Sequence, residues 1–287
     1  MKRTLVVAIL SLFILIPRHA FGEESSEGRL FASILPQKYV LDRLASPEFE
    51  VEALVGPGHS PATYDPSPRQ MSRLAEARAL FPMGVPFEHA WLPKIRKSMP
   101  QLTILDVSAP EGLLHVHHDH DHDHGDELDP HFWTSPRETA AMVARITDAL
   151  SALLPEKSEL FEKRAALLLQ ELEELDKELI SLFEKSEGRR FMVFHPAWGH
   201  FAKQYGLEQI CIEREGKEPG ARGLAKSIDR VKELKIEVIF VQAQFSRDSA
   251  DAVARATGTR LEVLDPLAEN YLDNLRQNAK SIAEALK

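Results

Sequence analysis

The histidines of this chain are unevenly distributed, and half of them alternate with aspartates. The chain has 12 histidines among 287 residues, and six of these lie in one short polar run. Imidazole and carboxylate groups at alternating positions form a chelator for divalent transition metals that has no single geometry. We therefore expect weak, multiple and exchangeable metal binding in this run; the alternative is a solvated polar linker. Its histidines are His115, His117, His118, His120, His122 and His124.

Four further candidate ligands lie singly, outside this run. Three of them come just after predicted strands, and the fourth lies in an Asp-Pro-His-Phe-Trp segment. In open α/β sheets, ligands bind beyond the carboxyl ends of the strands, so these side chains would point into one crevice if two lobes face each other. Three imidazoles and one carboxylate would form a closed tetrahedral set suited to Zn²⁺. The four candidates are His59, His131, His195 and Asp265.

The elements that must position these residues alternate between strand and helix in both halves of the chain. Such alternation predicts βα units and parallel sheets, and therefore an α/β fold. The predicted strands cover residues 29–35, 51–55, 79–83, 102–107, 190–194, 207–213, 237–242 and 260–264. The predicted helices cover residues 36–44, 67–77, 87–98, 136–150, 156–186, 197–205, 227–234, 246–257 and 271–286.

The longest predicted helix carries an apolar stripe on one side, with charged residues elsewhere. The stripe could be the seam of a coiled-coil dimer, or it could be buried by one helix that lies across two lobes. The run is short for a coiled coil and lies between two βα halves, which favours the second interpretation and a monomer. The stripe consists of Phe161, Ala165, Leu168, Leu172, Leu175, Leu179 and Leu182.

The N-terminus has the pattern of a secretory signal peptide. Lys2 and Arg3 precede an apolar run at residues 5–16, and small residues precede a cleavage point after Gly22. The apolar run is shorter than the roughly 20 residues of a membrane span, although an uncleaved anchor is the alternative. No cysteine follows the run, so we expect an exported protein that is not a lipoprotein. The predicted organisation is a signal peptide at 1–22, an N-terminal lobe at 23–150 with a His-rich loop at 115–129, a linking helix at 151–188 and a C-terminal lobe at 189–287.

Composition excludes several classes of protein. The chain is 44% hydrophobic and 28% charged, as ordinary globular proteins are. It carries 35 Lys and Arg against 44 Asp and Glu, for a net charge of −9, so it lacks the basic surface of a nucleic-acid-binding protein. The single cysteine, Cys211, excludes an intrachain disulfide and suits an oxidising compartment.

A set of short motifs, spread over the whole mature chain, carries a family resemblance. The chain resembles the periplasmic metal-binding proteins of zinc and manganese ABC importers, the cluster A-I solute-binding proteins, and most closely their zinc-uptake ZnuA type. Besides the histidine run, the motifs are GPG at 56–58, TYDP at 63–66, DPHFW at 129–133, FHPAWG at 194–199, YGL at 205–207, EP at 218–219, FVQ at 240–242 and LDPL at 264–267.

The resemblance implies two lobes joined by a rigid helix, with the metal in the cleft between them and two ligands from each lobe. His131 and His195 match the family pattern directly, and Asp265 matches its carboxylate position. The first ligand departs from the pattern, because the family places a histidine where this chain has Ala62. His59 lies three residues earlier in the same Gly- and Pro-rich loop, and we predict that it takes this role.

Several groups remain as alternatives for the first ligand. They are a water molecule, Asp65, His200 and a residue of the histidine run. His89 lies in a predicted helix, and we expect it to be at the surface or in a packing contact.

The function that the resemblance implies is periplasmic binding of Zn²⁺ and its delivery to an ABC permease with its ATPase, without enzymatic activity. Whether an accessory metallochaperone loads the protein stays open. Imidazole ligands favour zinc, whereas a manganese-binding member would have more oxygen ligands. A secreted zinc hydrolase is another alternative, but the chain has neither a His-Glu-x-x-His nor a Gly-x-Ser-x-Gly motif. A metal buffer or surface adhesin would bind metal through the histidine run alone.

Overall fold

The computed structural model describes residues 26–108, 129–213, 218–245 and 247–287. The predicted signal peptide at 1–22 and the histidine run at 115–124 lie outside the described residues. The interpretations of these two segments therefore stay predictions.

Two parallel sheets form the framework of the described chain, which confirms the predicted α/β fold. The first sheet has the strand order β2-β1-β3-β4 and the second has the order β6-β5-β7-β8, so the two halves share one topology. In each sheet the chain switches sides next to the first strand, and such switch points are where α/β folds bind ligands. The strands are β1 (Arg29–Ala32), β2 (Glu50–Ala53), β3 (Ala79–Phe81), β4 (Thr103–Ile104), β5 (Arg190–Val193), β6 (Glu208–Cys211), β7 (Val238–Val241) and β8 (Arg260–Val263).

The helices that flank these sheets begin and end at local sequence signals. Pro36 lies in the first turn of α1, and Ser67 caps α2 by accepting a hydrogen bond from the Gln70 amide. The helices are α1 (Leu35–Ala45), α2 (Pro68–Ala75), α3 (Pro86–Ser98), α4 (Pro136–Leu153), α5 (Ser158–Glu184), α6 (Gly199–Gln204), α7 (Ala221–Leu234), α8 (Asp248–Thr257) and α9 (Tyr271–Ala285). None of the helices in the described part of the chain is long and apolar enough to cross a membrane.

Several elements differ from the prediction by three residues or more at one end, and helix α7 and strand β4 are two of them. Helix α7 begins at Ala221 and not at residue 227. The prediction missed its first turns because they lack an apolar pattern, Val231 being the only buried residue of this helix. Strand β4 covers two residues of the predicted 102–107, although Leu105 still donates a hydrogen bond of 2.9 Å to Leu80 in β3. It lies at the edge of the first sheet, where one neighbour alone supports the ladder.

Helix α5 lies against helices from both halves of the chain. It contacts α1 and α4 from the first half and α9 from the second. The predicted stripe is buried from Phe161 to Leu179, but the last position is Phe183 and not Leu182. The last two steps, from Leu175 to Leu179 and from Leu179 to Phe183, are both four residues long. They bring the mean spacing of the stripe closer to the 3.6-residue helical period than the predicted alternation of four and three, which explains this shift. Because the stripe is buried within the chain, the coiled-coil interpretation is not supported.

Ion pairs tie α5 to the same helices. Arg43 of α1 forms a two-pronged pair with Glu171, with N–O distances of 2.9 and 2.7 Å. Arg276 of α9 pairs with Glu178 at 2.7 Å. The helix therefore joins the two sheet layers as predicted, while the proposed lobe boundaries at residues 150 and 188 stay predictions.

Candidate metal centre

One histidine from each half of the chain meets in the space between the two sheets. The Nε2 atoms of His131 and His195 lie 3.4 Å apart, with the ring planes at 77°. His195 follows β5, and His131 precedes the short 3-10 turn Phe132–Thr134 that leads into α4. Their side chains are 15% and 14% exposed, respectively. The structure therefore brings together two of the four predicted ligands.

A buried carboxylate fixes the ring orientation of each histidine. The Nδ1 atom of His131 lies 2.7 Å from Oδ1 of Asp129, and Nδ1 of His195 lies 2.7 Å from Oε2 of Glu213. A carboxylate only accepts hydrogen bonds, so each Nδ1 carries the proton and donates it. In a neutral imidazole, Nε2 then presents an unprotonated lone pair. Carboxylates in this position orient histidine ligands and increase their basicity at metal sites.

When both rings are neutral, their Nε2 lone pairs face each other at 3.4 Å and repel, unless a proton or a metal ion lies between them. When both rings are neutral, neither Nε2 atom can donate a hydrogen bond to the other, because the one proton of each ring is on the Nδ1 that faces its carboxylate. A tetrahedral zinc ion with Zn–N distances of about 2.0–2.1 Å places two nitrogen ligands about 3.3–3.4 Å apart. The spacing of His131 and His195 therefore fits two ligands of one such ion.

The electrostatic surroundings favour the metal-binding form of His195. Burial lowers the pKa of His195 below its ordinary value, because the charged ring would lose its hydration; His131 acts in the same direction, and the hydrogen bond to Glu213 opposes it. Burial alone would raise the pKa of Asp129, but the charge of His131 and the hydrogen bonds from it lower that pKa below its usual value. At neutral pH the centre thus combines an uncharged His195 with an ionised Asp129.

The two supporting carboxylates were not predicted as functional residues from the sequence. Strands β5 and β6 pair in parallel, with Val193 opposite Cys211, and the Glu213 amide donates to the Phe194 carbonyl at 2.9 Å. The same register carried two residues further places His195 beside Glu213. Parallel pairing of these predicted strands was therefore a signal that could have found Glu213.

The loop after β7 contacts both candidate ligands of the second half. The ring of Phe245 stacks on the His195 ring at 4.5 Å and 26°. Gln242 donates a hydrogen bond of 3.3 Å to the main-chain oxygen of His195. Gln244 donates from Nε2 to Oδ1 of Asp265 at 3.0 Å. One short loop thus positions His195 and Asp265 together.

His59 lies on an exposed loop. The preceding residue, Gly58, has a φ of 77°, in the left-handed region that favours glycine, so the chain turns just before His59. The ring of His59 lies 5.6 Å from that of Tyr64. Residues 56–58 and Asp265 line one cavity of about 280 Å³. The loop and the carboxylate therefore face the same space.

The alternative first ligands have other partners in the structure. Asp65 accepts a hydrogen bond of 2.9 Å from Trp91 Nε1. His200 is buried, and its Nε2 lies 3.1 Å from the main-chain oxygen of Asp129. His89 is exposed on α3, so the surface interpretation is confirmed. Asp65 and His200 are thus engaged in hydrogen bonds that hold the loops around the centre.

Within the described ranges, no three His, Cys, Asp or Glu side chains form a group able to hold a metal ion. His131 and His195 form a pair, while neither His59 nor Asp265 joins them in one cluster. The full set of four ligands therefore stays a prediction.

Comparison with known proteins shows the family of this chain. Residues 30–285 match the family described as the zinc-uptake complex component A, periplasmic (ZnuA). The zinc-binding lipoprotein AdcA of Streptococcus pneumoniae (strain ATCC BAA-255 / R6) is 28% identical over 306 residues, which cover 99% of this chain and 60% of AdcA. The high-affinity zinc uptake system protein ZnuA of Bacillus subtilis (strain 168) is 28% identical over 308 residues, which cover 97% of this chain and 96% of that protein.

A solved structure supports the same assignment. The crystal structure of a ZnuA protein superposes with a TM-score of 0.85 at 35% identity, and the match covers 91% of this chain and 99% of that one. The chain spans only 60% of the length of the AdcA relative, so the further region of AdcA has no counterpart in the match. With a family match over nearly all of its described residues, the chain belongs to the periplasmic zinc-uptake component A (ZnuA) family.

Proposed function

We propose that this protein binds one Zn²⁺ ion between its two halves and delivers it to an ABC importer. The observation that carries the proposal is the pair of Nε2 atoms, 3.4 Å apart, in two rings whose Nδ1 atoms are each held by a buried carboxylate. The family is that of a transport component, which agrees with the prediction that the chain is not an enzyme and argues against the zinc-hydrolase alternative.

His131 and His195 form the core of the proposed ligand set, and Asp265 adds an oxygen ligand. His59 supplies the fourth position by moving inward on its loop when the metal binds. The shared cavity between residues 56–58 and Asp265 supports this movement, because it leaves space between the loop and the carboxylate. A closed set of three imidazoles and one carboxylate is typical of zinc held without an open catalytic position.

Zinc fits this ligand set better than manganese does. Two imidazole nitrogens at tetrahedral spacing suit Zn²⁺, whereas Mn²⁺ prefers more oxygen ligands and a higher coordination number. The names of the AdcA and ZnuA relatives also specify zinc. Manganese binding would require oxygen ligands beyond Asp265.

Export and handover complete the proposal. Residues 1–22 act as a signal peptide, and the mature protein works in the periplasm as a monomer that contacts the permease directly. Unlike AdcA, which is named a lipoprotein, this protein is not lipid-anchored, because its single cysteine is Cys211, far from the N-terminal apolar run. The histidine run binds zinc weakly and exchangeably, in addition to the main site.

Zinc stoichiometry and affinity test this proposal in the full mature chain. We expect one tightly bound zinc per chain in competition with a chelator, and loss of this site in the double variant His131→Ala/His195→Ala. His89→Ala is the matched control, since it removes an exposed histidine of α3. Tight binding of one zinc by the double variant would overturn the proposed site.

A further inference from the structure

The carboxylate of Asp265 is held in an asymmetric way. Its Oδ1 atom accepts a hydrogen bond of 3.0 Å from Gln244 Nε2 and another of 2.9 Å from the Leu267 amide. Both hydrogen bonds go to the same oxygen. Because a carboxylate only accepts, the amide nitrogen of Gln244 must be the atom that faces Asp265.

Gln244 is placed where it can affect the cleft. It lines the same cavity as Asp265 and residues 56–58. The next residue, Phe245, stacks on His195, so the loop that carries Gln244 also contacts the proposed metal centre. Among the described residues, Gln244 Oε1 is buried and has no hydrogen-bond partner. A buried polar atom without a partner lowers the stability of the folded state. The side-chain amide of Gln244 would therefore contribute little if its only role were structural.

The hydrogen bonds determine how Asp265 can bind a cation. An oxygen that already accepts two hydrogen bonds has little capacity left to bind a metal, so Oδ2 is the available ligand atom. A carboxylate that binds through one oxygen suits four-coordinate zinc. Cations that need more oxygen ligands, such as Mn²⁺, gain from a carboxylate that can use both oxygens.

We propose that Gln244 is a specificity-determining residue, which keeps Asp265 a one-oxygen ligand and so favours Zn²⁺ over Mn²⁺. This inference rests on the proposed function, in which Asp265 is a zinc ligand. Gln244 acts through Asp265 and is therefore a positioning residue, not a ligand. Its role is to lower the affinity for cations of higher coordination number while leaving a tetrahedral site intact.

The ratio of zinc to manganese affinity tests this role in the full mature chain. Both dissociation constants are measured by chelator competition for the wild type, Gln244→Ala, Gln244→Met and Asp265→Ala. Gln244→Met keeps the length of the side chain and removes the N–H donors, so it serves if the shorter variant folds poorly. Gln170→Ala is the matched control, because Gln170 is an exposed glutamine of α5 whose amide donates a hydrogen bond to Glu174.

We expect Gln244→Ala and Gln244→Met to lower the zinc-to-manganese affinity ratio about tenfold, as the loss of one charge-assisted hydrogen bond implies. The visible absorption of the Co²⁺-loaded variants should weaken, because coordination number changes that spectrum. A merely structural role would lower both affinities together and leave the ratio unchanged.

Two results would overturn the inference about Gln244. They differ in whether the ligand role of Asp265 is also shown to be wrong. If the ratio in both Gln244 variants equals that of Gln170→Ala while Asp265→Ala loses zinc affinity, the role of Gln244 is wrong and the proposed ligand set stands. If Asp265→Ala keeps the wild-type zinc affinity, the ligand role of Asp265 and the inference about Gln244 are both wrong.

Discussion

The two histidine sites from which the proposed centre is assembled differ in how firmly the fold holds them. His131 and His195 are mostly buried, and each ring donates to a carboxylate that is 5% and 4% exposed, respectively. His59 is exposed, and its ring contact is with Tyr64 at 5.6 Å. A ligand pair that is already oriented loses little freedom when the metal binds, whereas a loop ligand must first be ordered. We therefore expect the pair to supply most of the affinity and the loop to close the site.

The largest effect should come from removing one member of the buried pair. His195→Ala deletes a ligand and leaves Glu213 buried without its partner. We expect zinc affinity to fall by more than about 100-fold, beyond the usual effect of losing an outer-shell partner. Chelator competition measures the change, with His89→Ala as the control. Equal affinities of the two variants would show that the buried pair is not the metal centre.

The supporting carboxylates should have the next largest effect. Glu213→Gln keeps the size of the side chain but weakens its hold on the protonated Nδ1 of His195, so zinc affinity should fall about 10- to 100-fold. Glu208→Gln is a matched control from β6, the strand that Glu213 follows, since Glu208 is exposed and pairs with Arg190 at 2.6 Å. If the two variants bind zinc alike in a titration against a chelator, Glu213 does not support the metal centre.

These buried residues also show how far the sequence alone predicts the fold and the site. The alternation of strands and helices predicted two parallel sheets. The position of His195 after a strand and the family resemblance at His131 predicted that the two would meet. The apolar stripe of α5 was predicted except at its end, where Phe183 replaces Leu182. Periodicity identifies these features because burial on one face repeats along the element.

The exposed loop was less predictable for a physical reason. Its course depends on the left-handed turn at Gly58 and on a hydrogen bond of 3.0 Å from the Phe87 amide to the Pro61 carbonyl. Neither of these two features repeats along the chain, so a periodic sequence pattern cannot predict the course of the loop. Asp65 was an open candidate ligand for the same reason, because its contact with Trp91 joins residues far apart in sequence.

Removing the loop histidine should have a moderate effect. We expect His59→Ala to reduce zinc affinity about tenfold, because part of the binding energy of a loop ligand offsets the ordering of the loop. Ala62→His in the same variant should restore the affinity, since it returns a histidine to the position that the family uses. Chelator competition distinguishes the cases. An unchanged affinity of His59→Ala would show that another group is the fourth ligand.

The buried pair should also make the metal-free protein sensitive to acid. The pKa of His195 is lowered in the folded chain, so the folded state binds fewer protons than the unfolded state just below the ordinary histidine pKa of about 6.5. The free energy of unfolding should therefore decrease as pH falls through this range. Urea unfolding at about pH 7.5 and about pH 5.5 measures the decrease in the free energy of unfolding. This decrease should be smaller in His195→Gln. An equal decrease in both proteins would contradict this contribution of His195.

The smallest effect on the tight site should come from deleting residues 115–126. We expect the deletion to remove weakly bound zinc and to leave one tight site with unchanged affinity, because the proposed centre uses none of these residues. Metal content after dialysis, with and without the run, measures both quantities. Loss of the tight site on deletion would mean that the run supplies a ligand.

An anomalous difference map at the zinc edge, from crystals of the zinc-loaded protein, tests the central claim most directly. We predict one zinc peak at a bonding distance of about 2.0–2.1 Å from Nε2 of both His131 and His195. A zinc ion bound elsewhere, or bound by only one of these two nitrogens, would contradict the account.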